Sequence, residues 1–301
     1  MDRFLEDHYI PWDAMVFPTA PVDRVLELSC VTSLFFAIDD LALVEQALFE
    51  RVERAWQEQH PYGRAFTDIF GRLRSRMRPH VWERFVARQE DWFQYTAEEN
   101  SYRSRSEIPD LESYRRIREQ SIGMYSYIVL LEYLHDLDLG SIGDDPDLAQ
   151  AARLTCDHIT LTNDLLSMRK EILAGDEFNS VLCVMRDRRI SLQSAVYTVC
   201  DLAAEDDRQL TRLSDDLRLR YRGHPGEHDL GTVLDGLGLL CAGNLGWSWL
   251  TPRYHGHGYR WTGMTSGYAT FGPNRTLWTR CPQPSAENVE AHEPALLATE
   301  A

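Results

Sequence analysis

The 301-residue sequence lacks the features of secreted and membrane-spanning chains. Its N-terminus, MDRFLEDHYI, has no basic start followed by an apolar run, and no apolar run reaches about eighteen residues. Cysteines are few and scattered, with no CxxC pair and no zinc-like spacing. We therefore expect a cytoplasmic location, no membrane insertion, and buried or inert reduced thiols at Cys30, Cys156, Cys183, Cys200, Cys241 and Cys281.

Positive charge is also scarce. The chain has 31 Lys and Arg against 47 Asp and Glu, a formal net charge of -16. This excess of negative charge repels nucleic acids and anionic membranes, and we expect neither as a partner. An anionic ligand would need metal cations or a local cluster of Arg and Lys to offset the same field.

Alternating β-branched runs with hairpin turns are missing as well, and helical periodicity replaces them. Apolar residues recur at three- and four-residue spacing over 22–40, 43–56, 125–134, 146–175 and 190–221. Connections rich in Pro and Gly are predicted at 60–63, 107–110, 139–147 and 222–229. Without a repeat or a low-complexity linker, the pattern predicts one all-α domain over 1–255. The Gly-, Pro- and Thr-rich residues 256–301 are predicted to form an irregular, disordered tail.

The stretch TNDLLSMRKE (162–171) places three polar residues at four-residue steps: Asn163, Ser167 and Glu171. In an α-helix each such step turns by about 40° and rises by about 6 Å, so the three form one stripe. A polar face of an amphipathic helix is the simplest explanation. The surrounding residues are largely apolar, however, so the stripe is predicted to be buried, where polar groups need partners. Oxygen ligands of this kind suit Mg²⁺.

A hard divalent cation needs a second wall of ligands. The best candidate is FFAIDDLALVE (35–45), in which Asp39 and Asp40 end an apolar helical run. Three other acidic groups compete with this pair. The first is predicted to lie in a solvated turn around Pro146 and consists of Asp144, Asp145 and Asp147. The other two are predicted to lie on exposed helix faces: Asp206 with Asp207, and Asp215 with Asp216.

These motifs together resemble the bacterial class I terpene cyclases, also called terpene synthases. TNDLLSMRKE matches the NDxxSxxKE metal motif of that family, and the family-like GDEFNSV (175–181) follows it. SYRRIREQSIG (113–123) is similar to the family's diphosphate-sensing segment, with Arg118 lying 45 residues before Asn163. WLTPRY (249–254) resembles the late Arg–Tyr pair, here Arg253 and Tyr254. The resemblance covers roughly residues 20 to 255.

The resemblance implies a single-domain helical bundle of the class I terpenoid synthase type. Its implied activity is Mg²⁺-dependent ionisation of a linear prenyl diphosphate, followed by cyclisation of the carbocation to a terpene hydrocarbon or alcohol and release of diphosphate. Farnesyl diphosphate is the default substrate and geranylgeranyl diphosphate the alternative.

The resemblance also implies a set of site residues. Three Mg²⁺ ions would be held by Asp39, with Asp40 beside it, and by Asn163, Ser167 and Glu171. A helix break would aim a backbone carbonyl at the substrate from Ser121, Ile122 and Gly123. Diphosphate would be bound by Arg118, Lys170, Arg253 and Tyr254, and the candidate pocket aromatics are Phe35, Phe36, Trp247 and Trp249.

The match departs from the family at two points. The acid that normally repeats four or five residues after the first Asp is replaced by Leu43 and Val44, and Glu45 lies about 240° around the helix from Asp39. Only 38 residues precede Asp39, so either the start codon is assigned late or the bundle lacks an outer helix. A chain-elongating prenyltransferase and a degenerate, inactive bundle are the competing interpretations, and a homodimer is left open.

Overall fold

A computed structural model describes residues 9–44, 61–256 and 259. Within these ranges the chain is helical with no β-strand, so the all-α prediction is confirmed. A 3₁₀ turn at Gly140–Asp144 precedes the helix that starts at Pro146. The α-helices are α1 (Tyr9–Val16), α2 (Val22–Val44), α3 (Pro61–Arg76), α4 (Pro79–Arg105), α5 (Leu111–Ser121), α6 (Met124–His135), α7 (Pro146–Ala174), α8 (Ser180–Arg188), α9 (Leu192–Arg220), α10 (Glu227–Leu250) and α11 (Pro252–His255).

Most of the predicted helix limits are found, and one predicted connection is wrong. Helix α7 starts at a proline, is capped by the Asp145 side chain and ends at Gly175 in the left-handed conformation, as the turn residues at both ends predict. The predicted connection at 60–63 instead begins α3, because Pro61 lacks the N–H that a first helical turn leaves unpaired. Residues 45–60 and 260–301 lie outside the described residues, so the division at 255/256 stays a prediction.

Helix α7 lies at the centre of the bundle. It packs against α5, α8, α9, α10 and α11, and most of its side chains are buried. Helix α10 in turn lies very close to α1, since a Cβ added to Gly243 would come 2.4 Å from the Met15 carbonyl oxygen. Glycine therefore lets α1 dock closely enough to bury Trp12 and Asp13.

Two minor predictions need correction. Asp145 does not lie in a solvated turn: it is buried and accepts hydrogen bonds from Tyr221 (2.7 Å) and Arg220 (3.0 Å), because it caps α7 where that helix meets α9. Asp206 is also buried, not exposed.

Of the cysteines within the described residues, Cys30 and Cys200 are exposed and the other three are buried. No helix in those ranges is long and apolar enough to cross a membrane.

Candidate active site

A cavity of about 370 Å³ is lined by residues of α1, α2, α4, α7 and α10, together with the α5–α6 junction and α11. Its volume falls in the range of small-molecule sites, about 300 to 1,000 Å³. Most of the predicted site residues line it: Phe35, Phe36, Arg118, Ser121, Ile122, Gly123, Asn163, Lys170, Glu171, Trp247, Arg253 and Tyr254.

The cavity lining divides into two parts. The part that we call the charged end consists of Arg103, Arg118, Asn163, Lys170, Glu171, Asp176, Arg253 and Tyr254. The part that we call the aromatic end consists of Trp12, Phe35, Phe36, Trp92, Tyr127 and Trp247. Four of the side chains at the charged end are cationic at neutral pH, which supplies the local positive cluster that an anionic ligand requires in a chain of net charge -16.

Two residues of the polar stripe on α7, Asn163 and Glu171, line the charged end, and Ser167 lies buried between them without lining the cavity. Asn163 donates from Nδ2 to the Tyr254 hydroxyl at 2.6 Å, so its amide oxygen is not used in that bond. Glu171 accepts a hydrogen bond from Asn179 Nδ2 at 2.8 Å. Ser167 Oγ is buried and lies near enough to Glu171 to lower the pKa of that carboxyl, yet it has no hydrogen-bond partner of good geometry among the described residues. The three oxygen donors therefore keep bonding capacity for a ligand.

The Glu171 carboxyl is in an electrostatically costly position. Burial, together with the nearby Asp164 carboxylate, raises its pKa to about 7. A cation beside Glu171 would favour its ionised form. Burial also raises the pKa of Asp164, against the opposing effect of Arg118.

Asp164 and Asn179 hold the stripe in place, and sequence reasoning missed both. Asp164 points away from the cavity and accepts hydrogen bonds from the Tyr114 hydroxyl at 2.5 Å and the Ser180 amide at 2.9 Å, so it ties α7 to α5 and α8. Asn179 caps α8 by accepting from the Val181 amide and also donates to the Asp164 carbonyl at 3.0 Å. A sequence signal for the capping role of Asn179 does exist: Gly175 is a typical helix stop, and Asn179, four residues later, is a typical helix cap.

Arg118 is held by a buried carboxylate that sequence reasoning also missed. Both oxygens of Glu99 on α4 lie 3.3 Å from Arg118 Nη1, and Glu99 also pairs with Arg103 at 2.5 Å. Ser121 donates a further short hydrogen bond to Glu99. Burial raises the pKa of Glu99, but Arg103 and Arg118 outweigh it and leave the pKa below its usual value. Burial likewise opposes the charge on Arg118, while Glu99 and other acidic neighbours hold its pKa well above the usual value.

The α5–α6 junction contains the predicted helix break. Helix α5 ends at Ser121 and α6 starts at Met124, with Gly123 at a φ of 76°, a conformation that other residues rarely adopt. Trp92 Nε1 donates to the Ser121 carbonyl at 3.0 Å, and a Cβ added to Gly123 would lie 3.4 Å from the same indole. The Gly123 carbonyl accepts from the Ser126 amide at 3.2 Å. Two of the three junction carbonyls are therefore bonded within the protein.

The predicted pair Arg253 and Tyr254 lies on α11, directly after α10. The Thr251 side chain caps this short helix, and Pro252 fills its first turn. The Arg253 guanidinium carbon lies 5.5 Å from the centroid of the Phe36 ring, over its face. Tyr254 packs edge-on against Trp247 at 5.4 Å. These contacts join the two ends of the cavity.

The aromatic end contains more rings than the sequence predicted. Phe35 lies 5.0 Å from Trp92, and Trp12 lies 4.8 Å from Tyr127 in an edge-to-face arrangement. Trp249 is absent from the lining of this cavity and stacks on His255 instead, because two helical positions after Trp247 it points about 200° around α10. The three unpredicted rings, those of Trp12, Trp92 and Tyr127, come from sequence positions with no motif.

The opposite metal wall is predicted at Asp39 and Asp40. Asp39 and Asp40 lie on α2, but their side chains and all of Glu45 fall outside the described residues. In the rest of the described chain no group of three or more His, Cys, Asp and Glu is arranged to hold a metal ion. The α7 stripe has one carboxylate among its three oxygen donors, and such a donor set together with the buried, unpartnered Ser167 Oγ fits a hard divalent cation that shares ligands with a second element.

Comparisons with known proteins identify the family of this chain. The model of the family described as terpene synthase family 2, C-terminal metal binding, matches residues 30–208. An (E)-2-epi-beta-caryophyllene synthase of Selaginella moellendorffii is 31% identical over 274 residues, covering 84% of this chain and 74% of that relative. The sesquiterpene synthase Agr1 of Cyclocybe aegerita is 28% identical, covering 67% of this chain and 58% of that relative.

A solved structure shows the same fold. The linalool/nerolidol synthase from Streptomyces clavuligerus, in complex with 2-fluorogeranyl diphosphate, superposes with a TM-score of 0.74 at 20% identity, covering 82% of this chain and 90% of that one. Together, the family match and the relatives show that this chain belongs to the terpene synthase family, and the expectation of an enzyme of this class is confirmed.

Proposed function

We propose that this member of the terpene synthase family is a Mg²⁺-dependent class I cyclase that ionises farnesyl diphosphate and cyclises the resulting carbocation. One observation carries the proposal: a single cavity joins a cluster of four cationic side chains and metal-type oxygen donors to a wall of aromatic rings. The first part suits a diphosphate and the second a hydrocarbon cation. The sesquiterpene synthase among the relatives supports the choice of a farnesyl chain.

At the charged end, four side chains would bind the diphosphate: Arg118, Lys170, Arg253 and Tyr254. Arg118 is already oriented by Glu99, so it loses little conformational freedom when it binds an anion. Tyr254 is fixed by Asn163 and Trp247. Donors that are positioned before the reaction stabilise the charge that develops on the leaving diphosphate.

Magnesium would be held by Asn163, Ser167 and Glu171 on α7 and by Asp39 on α2, with Asp40 beside it and three ions in all. When bound, the metal supplies Lewis-acid stabilisation of the departing diphosphate. Asn179 would keep the Glu171 carboxylate directed at the cavity through its 2.8 Å hydrogen bond. Outer hydrogen bonds of this kind orient metal ligands in proteins.

The rings of the aromatic end would shield and stabilise the carbocation. Aromatic faces stabilise a desolvated cation by roughly 0.5 to 2 kcal/mol each, and an apolar wall keeps out the water that would quench it. The position of Arg253 over Phe36 supports this role, since it is an attractive contact between a cation and the face of that ring. At the α5–α6 junction, Ile122 is the candidate for directing a carbonyl at the substrate, since the Ser121 and Gly123 carbonyls are bonded elsewhere.

Product analysis after incubation with prenyl diphosphates tests this proposal. Geranyl, farnesyl and geranylgeranyl diphosphates are supplied separately, with Mg²⁺ or with a chelator, and products are identified by gas chromatography with mass spectrometry. We expect a cyclic C15 product from farnesyl diphosphate, dependent on Mg²⁺ and lost in Asn163→Ala. Turnover in the chelator, or wild-type rates in that variant, contradicts the proposal.

The competing interpretations give different results in the same assay. A C20 product alone identifies geranylgeranyl diphosphate as the substrate. Products lengthened by five carbons after addition of isopentenyl diphosphate identify an elongating prenyltransferase. Binding of inorganic pyrophosphate with Mg²⁺ but no turnover of any prenyl diphosphate identifies a degenerate, inactive bundle.

A further inference from the structure

A buried carboxylate adjoins the aromatic end without being part of the charged end. Asp13 on α1 is fully buried, and its neighbour Trp12 lines the cavity. Within the described residues no Lys, Arg or His forms an ion pair with Asp13, and its Oδ2 atom has no hydrogen-bond partner there. An acid in such surroundings costs folding free energy, and neither cap geometry nor salt bridging explains it.

Two hydroxyl groups connect Asp13 to the cavity. Thr32 Oγ1 on α2 donates to Asp13 Oδ1 at 2.6 Å, and the Tyr127 hydroxyl on α6 donates to Thr32 Oγ1 at 3.1 Å. Thr32 is fully buried, and Tyr127 is itself part of the cavity lining. Both hydrogen bonds in this series therefore point in one direction, from the cavity wall to the carboxylate.

We propose that Tyr127, Thr32 and Asp13 form a proton relay that ends the reaction by deprotonating the final carbocation, an inference that rests on the proposed function. Tyr127 is the catalytic residue, since it lines the cavity, and the other two are positioning residues that act through it. The relay predicts a hydrocarbon as the main product, because removal of a proton leaves an alkene where water capture would leave an alcohol.

The step balances without any added reagent. One C–H bond next to the cationic carbon breaks, and its electron pair becomes the second bond of the alkene. The proton passes to the Tyr127 oxygen, the phenol proton to Thr32, and the threonine proton to Asp13, which becomes a neutral carboxylic acid. After the product leaves, the proton returns along the same path to water or to diphosphate.

The ionisation of the two end groups is compatible with this direction. Burial raises the pKa of Asp13 to about 7, so its carboxylate is a better proton acceptor than an ordinary aspartate. Burial also raises the pKa of the Tyr127 phenol, as does the charge of Asp13, so Tyr127 keeps its proton at rest. Besides Thr32, the Ser29 hydroxyl also acts on Asp13 and lowers its pKa, and both of these groups are neutral.

The test compares product ratios in matched variants incubated with farnesyl diphosphate and Mg²⁺. Asp13→Asn, Thr32→Val and Tyr127→Phe each interrupt the relay with little change of volume. We expect the hydrocarbon-to-alcohol ratio to fall by at least about tenfold in each, a larger change than that in diphosphate release. Thr32→Ser keeps the hydroxyl and should restore the wild-type ratio.

Tyr133→Phe is a second control, because Tyr133 is buried on the same helix and bonds to Glu27, outside the cavity lining. It should keep the wild-type ratio. An unaltered ratio in Tyr127→Phe and Asp13→Asn overturns the relay. An equal shift of the ratio in Thr32→Ser and Thr32→Val also overturns it, because the shift would then be caused by altered packing and not by loss of the hydroxyl. If Asp13→Asn does not fold, the two Thr32 variants decide. Wild-type turnover without any hydrocarbon overturns the relay alone, whereas absence of wild-type diphosphate release overturns the proposed function with it.

Discussion

The charged end and the aromatic end of the cavity are held together by different forces. At the charged end, Arg118 is fixed by two contacts to Glu99, and Glu171 by one hydrogen bond from Asn179. At the aromatic end, rings such as Phe35 and Trp92 are fixed mainly by packing. Directional contacts fail when one atom is replaced, while a packed wall tolerates changes that preserve volume. We therefore expect substitutions at the charged end to alter rate and stability, and substitutions at the aromatic end to alter products.

The largest effect on stability is expected for Glu99→Gln. The change leaves Arg118 beside a neutral, buried group, while Arg103 keeps its pair with Asp176, and breaking a buried ion pair in this way costs about 3 to 5 kcal/mol of unfolding free energy. Chemical denaturation measures the loss. Glu98→Gln is the matched control, because the neighbouring Glu98 pairs with Arg116 at the surface, where a pair contributes about 1 kcal/mol or less. Equal losses in the two variants would show that burial of the Glu99 network does not matter.

Arg118→Met should have the largest effect on rate. Removing one preorganised donor to a developing negative charge typically lowers turnover by about 100- to 1,000-fold. The rate of diphosphate release from farnesyl diphosphate measures it. Arg116→Met, on the same helix with an exposed guanidinium, should keep at least about half of the wild-type rate. A comparable loss in both variants would mean that Arg118 acts only through the stability of α5.

Asn179→Ala should have a smaller, combined effect. Loss of the α8 cap costs about 1 to 2 kcal/mol, and loss of the hydrogen bond to Glu171 should raise the Mg²⁺ concentration for half-maximal rate by about 10- to 100-fold. Ser191→Ala removes a similar cap from α9, away from the cavity. Ser191→Ala should reduce stability without changing the Mg²⁺ dependence. An equal change of Mg²⁺ dependence in both variants would show that Asn179 does not act on the metal site.

Gly123→Ala is expected to lower stability as little as Asn179→Ala does, by about 1 to 2 kcal/mol, because alanine is strained at a φ of 76°. Thermal unfolding measures it, and the product ratio should also change, since the new Cβ lies against Trp92. Gly238→Ala provides the comparison: it lies within α10 with open space around it, and alanine there should raise stability by up to about 1 kcal/mol. Equal effects would show that the α5–α6 junction carries no backbone strain.

The charged end could be predicted from the sequence far better than the aromatic end. Asn163, Ser167 and Glu171 follow helical spacing, and the segments that contain Arg118 and Arg253 resemble those of the family, so this group could be identified from sequence. Trp12, Trp92 and Tyr127 belong to three separate helices that only tertiary packing brings together. Trp249 was predicted to join them, but helical rotation turns it away from Trp247. Glu99 was missed for a related reason, since nothing near it in sequence reveals that Arg118 packs against it.

The most direct test of the division between the two ends is a paired measurement of diphosphate release and product composition in Asn163→Ala and Phe35→Leu. Both are made with farnesyl diphosphate and saturating Mg²⁺. The account predicts loss of release in Asn163→Ala, and a change in product composition much larger than the change in release rate in Phe35→Leu. Loss of release in Phe35→Leu as severe as that in Asn163→Ala, with an unaltered product composition in whatever turnover is left, would contradict it.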